Sequence, residues 1–211
     1  AVEEGEADPD AEAAADDPKR EWIQRPECGG GVPFDFGCYV VHALNRLAPG
    51  RPVRVQAAGG RSEKYGTVAR LYGTIEYEGG AVGLVEASFR ADCSQELQVH
   101  GSRGVARLPV AWTVMGPSEI EFRHASGWCE FQTDRLAVHH ESPYRLQMED
   151  FLDAIEGRSA PRVSLAESVV SSVVLGELVR SLDERRPIDL EIPDDVLQAA
   201  ARTRASTGAR P

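Results

Sequence analysis

The sequence lacks the patterns that mark several common classes of protein. No apolar run approaches the roughly 18 to 20 residues that a helix needs to cross a bilayer. No basic leader followed by an apolar stretch and a small-residue cleavage site is present, although the chain opens on alanine rather than methionine. We therefore expect a soluble protein that resides in the cytoplasm.

Cysteine and lysine are scarce. The four cysteines form no C-x-x-C pair and have no histidine at zinc-ligand spacing, so we expect free thiols and no metal site. Only Lys19 and Lys64 accompany the arginines, no basic stripe is visible, and the net charge is -11. An acidic chain of this kind argues against nucleic acid as a partner.

The negative charge is concentrated at the start of the chain. Residues 1–21 hold nine acids and two bases, which accounts for -7 of the -11. The first 20 residues contain no aromatic side chain and cannot bury enough apolar surface to offset their ordering entropy. We predict that residues 1–21 are a mobile tail or loop, that residues 22–191 form the folded domain, and that residues 192–211 are a C-terminal extension.

Behind three glycines, Gly29, Gly30 and Gly31, the sequence turns helical from about residue 34. One stripe at helical spacing is apolar and is expected to face the core: Phe36, Val40, Ala43, Leu44 and Leu47. A neighbouring stripe is polar: Asp35, Tyr39, His42 and Arg46. The helix is therefore predicted to carry a row of polar, ionisable side chains beside the face that packs on the core.

The rest of the folded part predicts strands and then helices. Between residues 52 and 133 apolar residues alternate, and a turn at residues 78–80 predicts a hairpin. Two helices follow, one after Ser142-Pro143 and one behind a capping box of Ser164 and Glu167. We predict an α+β fold: an open, mainly antiparallel sheet with helices on one face and the other face available for oligomerisation.

Several catalytic and cofactor motifs are missing. The glycines do not form G-x-G-x-x-G between a strand and a helix, and G-x-x-x-x-G-K-[ST], G-x-S-x-G and H-E-x-x-H do not occur. The predicted elements also leave no room for the repeated βαβ units of a Rossmann domain. We expect this chain alone to bind no dinucleotide.

Three separated motifs nevertheless resemble a known family. They are Trp22 followed by "GGGVPFDFGCY", then "GAVGLVEASFRA" with "ELQVHGSRGVARL", then "SPYRLQMEDFLDAIEG" and the helix behind it. In this order they are similar to the C-terminal domain of Gfo/Idh/MocA oxidoreductases, over about residues 22–191. The resemblance implies an enzyme whose N-terminal Rossmann domain binds NAD or NADP and carries an E-K-P lysine. Neither that domain nor that motif is present in this chain.

The resemblance also implies roles for particular residues. Asp35 and Tyr39 match the family's acid and its tyrosine or histidine four residues later, so both are candidate catalytic residues. Gly29, Gly30 and Gly31 would let the backbone approach the reactive end of the cofactor. Phenols ionise near pH 10, and ionising one at neutral pH costs about 4 kcal/mol. We therefore expect Tyr39 to act as a base only beside a cation, and otherwise as a neutral hydrogen-bond donor.

Three further residues are candidates for substrate binding: His42, Arg90 and His140. Each has a structural alternative, since His42 can face solvent or the sheet edge, Arg90 can be a surface residue, and His140 can belong to a linker. Asp35 likewise has an alternative role as a helix cap, worth about 1 kcal/mol.

These expectations lead to a principal hypothesis and two rivals. The chain is predicted to be the substrate-binding and oligomerisation domain of an NAD(P)-dependent oxidoreductase for a sugar, polyol or similar hydroxyl compound. Its expected partners are that substrate, a Rossmann domain in cis or in trans, and further copies of itself through the open sheet. The first rival is a stand-alone, non-catalytic domain that dimerises or binds carbohydrate. In the second rival, the Rossmann half is a separate polypeptide.

Overall fold

The structure is a computed structural model that describes residues 21–91, 95–112, 114, 116–127, 130–138 and 142–207. The chain forms two compact units. Unit 1 consists of residues 1–92 together with 163–211, and unit 2 consists of residues 93–162. Among the described residues, no helix is both long and apolar enough to span a membrane.

Unit 1 is built on a four-stranded antiparallel sheet in the order β3-β2-β1-β8. Its strands are β1 (Pro52–Arg61), β2 (Val68–Tyr77), β3 (Val82–Ser88) and β8 (Ile188–Asp189). The hairpin predicted at residues 78–80 joins β2 to β3, and its Gly79 and Gly80 have φ angles of 84° and 88°. The alternation predicted along β2 is also confirmed, because Leu71 and Ile75 are buried while Arg70 and Glu76 are exposed.

Helices cover one face of this sheet. They are α1 (Cys38–Leu47), α3 (Leu165–Glu184) and, packed on α3, α4 (Asp194–Thr207). The core between sheet and helices contains these fully buried side chains: Val41, Val55, Leu71, Ile75, Val174 and Leu178. Each such side chain contributes about 1.5–3 kcal/mol on burial. The predicted α+β class, with helices on one face of an open sheet, is confirmed.

The segment that enters α1 is wound differently from the prediction. Residues Pro33–Gly37 form a π-helix, preceded by short 3-10 helices at Glu21–Gln24 and Pro26–Cys28. The buried stripe runs through Gly37, Val41 and Asn45, while Phe36 and Leu47 are 39% and 51% exposed. A π turn accommodates one extra residue, so it rotates the helix that follows. The predicted core stripe was therefore displaced by one position and was wrong at Phe36 and Leu47.

The C-terminal residues take part in unit 1. β8 pairs with β1, and Ile188 is 3% exposed. α4 lies within the segment that was predicted as an extension, and its Leu197 and Ala200 pack against Val170 of α3. The acidic segment 1–20 lies outside the described residues.

Unit 2 contains a second four-stranded antiparallel sheet in the order β4-β5-β6-β7. Its elements are β4 (Leu97–Gly101), β5 (Gly104–Leu108), β6 (Ser118–Gly127), β7 (Glu130–Val138) and α2 (Pro143–Ile155). The strands follow one another as a meander, as predicted, but they form a sheet of their own rather than continuing the first one. Among the residues described in unit 2, none is buried.

Candidate functional site

The three glycines have a structural reason within this chain. A Cβ on Gly30 would lie 2.6 Å from the carbonyl oxygens of both Ile23 and Arg25. Gly31 has a φ of 114°, and its N–H donates to the carbonyl oxygen of Ile23 at 2.8 Å. The triplet thus folds the chain back on residues 23–25. The space that a side chain at Gly30 would need is filled by the chain's own backbone.

Gly29 differs from the other two glycines of the triplet. A Cβ on Gly29 would meet nothing within 4 Å, so the chain is open to a neighbour at that position alone of the triplet. The approach of Gly29, Gly30 and Gly31 to a cofactor held by other polypeptide remains a prediction.

Asp35 lies inside the helical segment rather than at its cap. The N-cap positions of the π-helix and of α1 are Val32 and Gly37, and neither makes a side-chain capping bond. The Asp35 backbone N–H donates to the carbonyl oxygen of Gly31, and its Oδ2 atom is shielded from solvent. The structure therefore gives no support to the capping alternative.

Tyr39 and Cys38 follow Asp35 at the junction between the π-helix and α1. The Tyr39 side chain is 56% exposed, so its phenol is accessible. Burial raises the pKa of the Cys38 thiol, and the negative charge of Asp35 raises it further. The Cys38 Sγ also donates to the Asp35 carbonyl oxygen at 3.5 Å. A carboxylate and an accessible phenol are thus presented within one turn of the same segment.

His42 lies in a different environment from Tyr39, although both belong to the predicted polar row. It lines a small cavity with residues of α1, α3 and α4: Asn45, Arg46, Glu167, Val170, Ser171 and Ala200. Burial lowers the pKa of His42; the Glu167 charge partly offsets this, and the Arg46 charge lowers it again. His42 is therefore a neutral imidazole at neutral pH, placed among packed helices. Its role in substrate binding remains a prediction.

Arg90 is brought to the start of the helical segment by its neighbour. The rings of Phe89 and Phe36 pack edge to face, with centroids 5.3 Å apart. The Arg90 backbone N–H donates to the Ser88 hydroxyl at 2.9 Å, and its side chain is half-buried. Since Phe36 adjoins Asp35, two candidate residues lie on segments in contact. His140, the remaining candidate, lies outside the described residues.

The structure also contains a buried polar network that the sequence patterns did not reveal. The Tyr77 hydroxyl donates to Asn45 Oδ1 at 2.9 Å, and Asn45 Nδ2 donates to Ser171 Oγ at 3.4 Å. Arg46 Nη1 donates to Glu167 Oε1 at 2.7 Å. No sequence signal marked Asn45, because the predicted core stripe of this helix does not include it. This network fixes α1 against β2 and α3.

No group of three or more histidine, cysteine, aspartate and glutamate side chains that could hold a metal occurs among the residues the structure describes. Cys28 and Cys38 are free thiols. Cys93 and Cys129 lie outside the described residues.

Comparison with known proteins agrees with this architecture. The family model described as GFO/IDH/MocA C-terminal domain matches residues 4–107. The D-xylose 1-dehydrogenase (NADP(+)) 2 of Haloferax volcanii is 30% identical over 169 residues, which are 79% of this chain and 50% of that protein. The resemblance predicted from the motifs is confirmed: residues 4–107 match the model of the Gfo/Idh/MocA C-terminal domain.

Solved structures share the fold at low sequence identity. An aldose-aldose oxidoreductase from Caulobacter crescentus, complexed with glycerol, has a TM-score of 0.70 at 19% identity, covering 82% of this chain and 52% of that one. A levoglucosan dehydrogenase in its apo form has a TM-score of 0.62 at 17% identity, covering 82% and 54%. The chain thus spans about half the length of the relatives it matches.

Proposed function

We propose that this chain is the substrate-binding half of an NAD(P)-dependent oxidoreductase that acts on a sugar, polyol or similar hydroxyl compound. One observation carries the proposal: in a domain of this family, an accessible Tyr39 and the carboxylate of Asp35 occupy one turn behind the glycine triplet. The named relatives, a xylose dehydrogenase and a levoglucosan dehydrogenase, support the substrate class.

The chemistry assigned to this chain is the handling of a proton. When a carbinol is oxidised, the carbon loses a hydride and the oxygen loses a proton. The hydride acceptor would be a nicotinamide cofactor, which the resemblance to the family implies is held by a Rossmann domain beyond the residues of this chain. Tyr39 is proposed to receive the proton beside a cation from outside this chain, with Asp35 orienting the substrate hydroxyls. Positioned proton transfer of this type contributes roughly 10²- to 10⁴-fold to a rate.

The test is turnover by this chain together with its Rossmann domain, supplied in cis or in trans, with D-xylose and NADP⁺, followed by other aldoses and polyols. Tyr39→Phe should lower kcat by roughly 10² or more while changing KM little, because the lost hydroxyl acts on the proton as it is transferred in the transition state. Tyr65→Phe is the matched control, since Tyr65 lies in the loop between β1 and β2. Unchanged kcat in Tyr39→Phe would remove the proton-handling role, and absence of turnover with every sugar and polyol would remove the function.

We also propose that a second copy of the chain covers the apolar face of the unit 2 sheet. By the strand register, one face carries a block of apolar residues: Leu97, Val99, Ala106, Leu108, Ile120, Phe122, Leu136 and Val138. Polar side chains border this block on the same face: Ser118, His124, Gln132 and Asp134. The other face carries ion pairs of Arg107 and Arg135 with Glu121. Two identical apolar faces are self-complementary, as a two-fold dimer requires.

Light scattering coupled to size exclusion tests this interface. The wild type should be an oligomer, and Phe122→Asp should shift the mass toward the monomer because a carboxylate cannot be buried in an apolar interface. Phe131→Asp, on the charged face, is the matched control and should leave the mass unchanged. A monomeric wild type would contradict the proposal.

A further inference from the structure

The polar row of the helical segment has an accessible end and an anchored end. At the start of α1, Tyr39 is more than half exposed. Two turns later Arg46 is half-buried, and its Nη1 donates to Glu167 Oε1 at 2.7 Å. An α-helix transmits a displacement of one end to the other, because its backbone bonds make it rigid over such a short distance.

Glu167 is the buried partner in this contact. Its side chain is 5% exposed, and its two oxygens have different tasks. Oε1 accepts from Arg46, while Oε2 accepts from the backbone N–H of Ser164 at 2.9 Å and from the Ser164 hydroxyl at 3.1 Å. Hydrogen bonds to a charged group at a shielded site are the strong ones. One carboxylate therefore holds α1 and the first turn of α3 together.

The position of Ser164 in the chain adds to the importance of this carboxylate. Unit 2 ends at Arg162, and unit 1 resumes at Val163, one residue before the N-cap of α3. Glu167 thus ties α1 to the point where the chain returns from unit 2. The neighbouring bonds of Asn45 to Tyr77 and Ser171 hold the same part of α1 against β2 and α3.

We propose that Glu167 is a positioning residue that acts through Arg46 to set the placement of α1 and of Tyr39 on it. This inference rests on the proposed function for its catalytic consequence, and on the geometry alone for the placement. Glu167 itself is not assigned a contact with substrate or cofactor.

Glu167→Gln separates the two roles of this side chain: the ion pair with Arg46, called the clamp here, and the cap on Ser164. A glutamine can keep its single carbonyl oxygen on Ser164, as capping boxes allow, and it then presents an amide N–H to Arg46. The clamp is lost while α3 stays capped. Arg46→Met removes the clamp from the other side and retains the apolar stem of the side chain. Glu184→Gln is the matched control, since Glu184 lies on the same helix and pairs with Arg180 at an exposed site.

Two measurements on the polypeptide without substrate test whether Glu167 sets the placement of α1 and of Tyr39. The first is hydrogen exchange: amides of residues 42–47 should exchange roughly tenfold faster in Glu167→Gln and Arg46→Met, with the first turn of α3 unchanged. The second is the ¹⁹F resonance of a 3-fluorotyrosine at position 39, which should shift in both variants and not in Glu184→Gln. Unchanged exchange and an unchanged resonance in both variants would overturn the proposal.

Kinetics then test the consequence for catalysis with D-xylose and NADP⁺. Glu167→Gln should lower kcat several-fold with KM little changed, because a misplaced Tyr39 weakens the transition state more than the bound substrate. A shifted resonance with unchanged kcat would confine Glu167 to a structural role and overturn the catalytic consequence. If the wild type turns over no sugar or polyol, the proposed function fails, while exchange and ¹⁹F data still decide the placement.

Discussion

Units 1 and 2 have similar secondary structure and opposite burial. Both contain a four-stranded antiparallel sheet and at least one amphipathic helix. Unit 1 has six or more large side chains sealed from solvent, whereas none of the residues described in unit 2 is buried. In unit 1, α3 lies across the sheet, while α2 of unit 2 exposes its apolar stripe: Tyr144, Met148, Phe151, Leu152 and Ile155.

The difference shows that amphipathic elements are necessary but not sufficient for a core. A second layer must cover the apolar face before burial stabilises a unit. Unit 1 contains both layers within its own residues. Among the residues described in unit 2 none is buried, which is why we propose that a second copy covers the apolar block of its sheet.

The largest expected effect contrasts two leucines. Leu178→Ala in the core of unit 1 should destabilise the protein by about 2–5 kcal/mol, since it removes a fully buried side chain and leaves a cavity. Leu136→Ala, on the open sheet face of unit 2, should cost less than about 1 kcal/mol in the monomer at low concentration. Urea denaturation measures both, and equal losses would mean that the two units do not differ as described.

The next contrast concerns two glycines of unit 1. Gly30→Ala should destabilise by about 1–3 kcal/mol, because the new Cβ would overlap two backbone carbonyl oxygens. Gly176→Ala should stabilise by about 0.5–1 kcal/mol, because that site in α3 is open and alanine favours the helix. Thermal melts of both variants test the signs. If Gly30→Ala leaves the stability unchanged, the turn packs less tightly against residues 23–25 than the structure shows.

A smaller effect is expected from two tyrosines of β2. Tyr77→Phe should cost about 1–2 kcal/mol, since the buried Asn45 loses a hydrogen-bond donor. Tyr72→Phe, on the exposed face of the same strand, should change stability by less than about 0.5 kcal/mol. Chemical denaturation compares the two variants. Equal losses of unfolding free energy would argue that the buried polar network does not fix α1.

The smallest effect is the pH dependence contributed by His42. Its pKa in the folded protein is lowered chiefly by burial from an ordinary value of 6.5, so below that pH the unfolded chain binds more protons. The contribution of His42 to the free energy of unfolding is therefore fully present above pH 6.5 and is lost as pH falls through the lowered pKa. His42→Asn should flatten the stability profile between pH 5 and 7, measured by urea denaturation at each pH. An unchanged slope would mean that His42 is solvated in the folded protein.

Much of the architecture could be predicted from local patterns. The β2–β3 hairpin followed from alternation around two glycines, and the start of α3 followed from the capping box of Ser164 and Glu167, whose bonds are both present. Such features depend on neighbours within a few residues. The stripe of α1 could not be predicted in the same way, because the π-helix at Pro33–Gly37 depends on how that segment packs.

The candidate site shows the same division. The motif identified Asp35 and Tyr39, and the structure places both in one turn at the start of α1. Spacing also grouped His42 and Arg46 with them, yet these two lie against α3, where Glu167 and Ser171 are more than 120 residues away in the chain. A contact between residues so far apart in the chain cannot be predicted from a local sequence pattern.

The sequence by itself determined the resemblance to the family, the α+β class, the antiparallel hairpins and the acid and tyrosine behind the glycines, because periodicity and short motifs encode local geometry. Only the tertiary structure decided that the strands divide into two sheets, that Gly30 and Gly31 serve the chain's own turn, and that Glu167 holds α1. These outcomes depend on which surfaces meet across long separations, and the free energy of burial at those surfaces is not a property of any local segment.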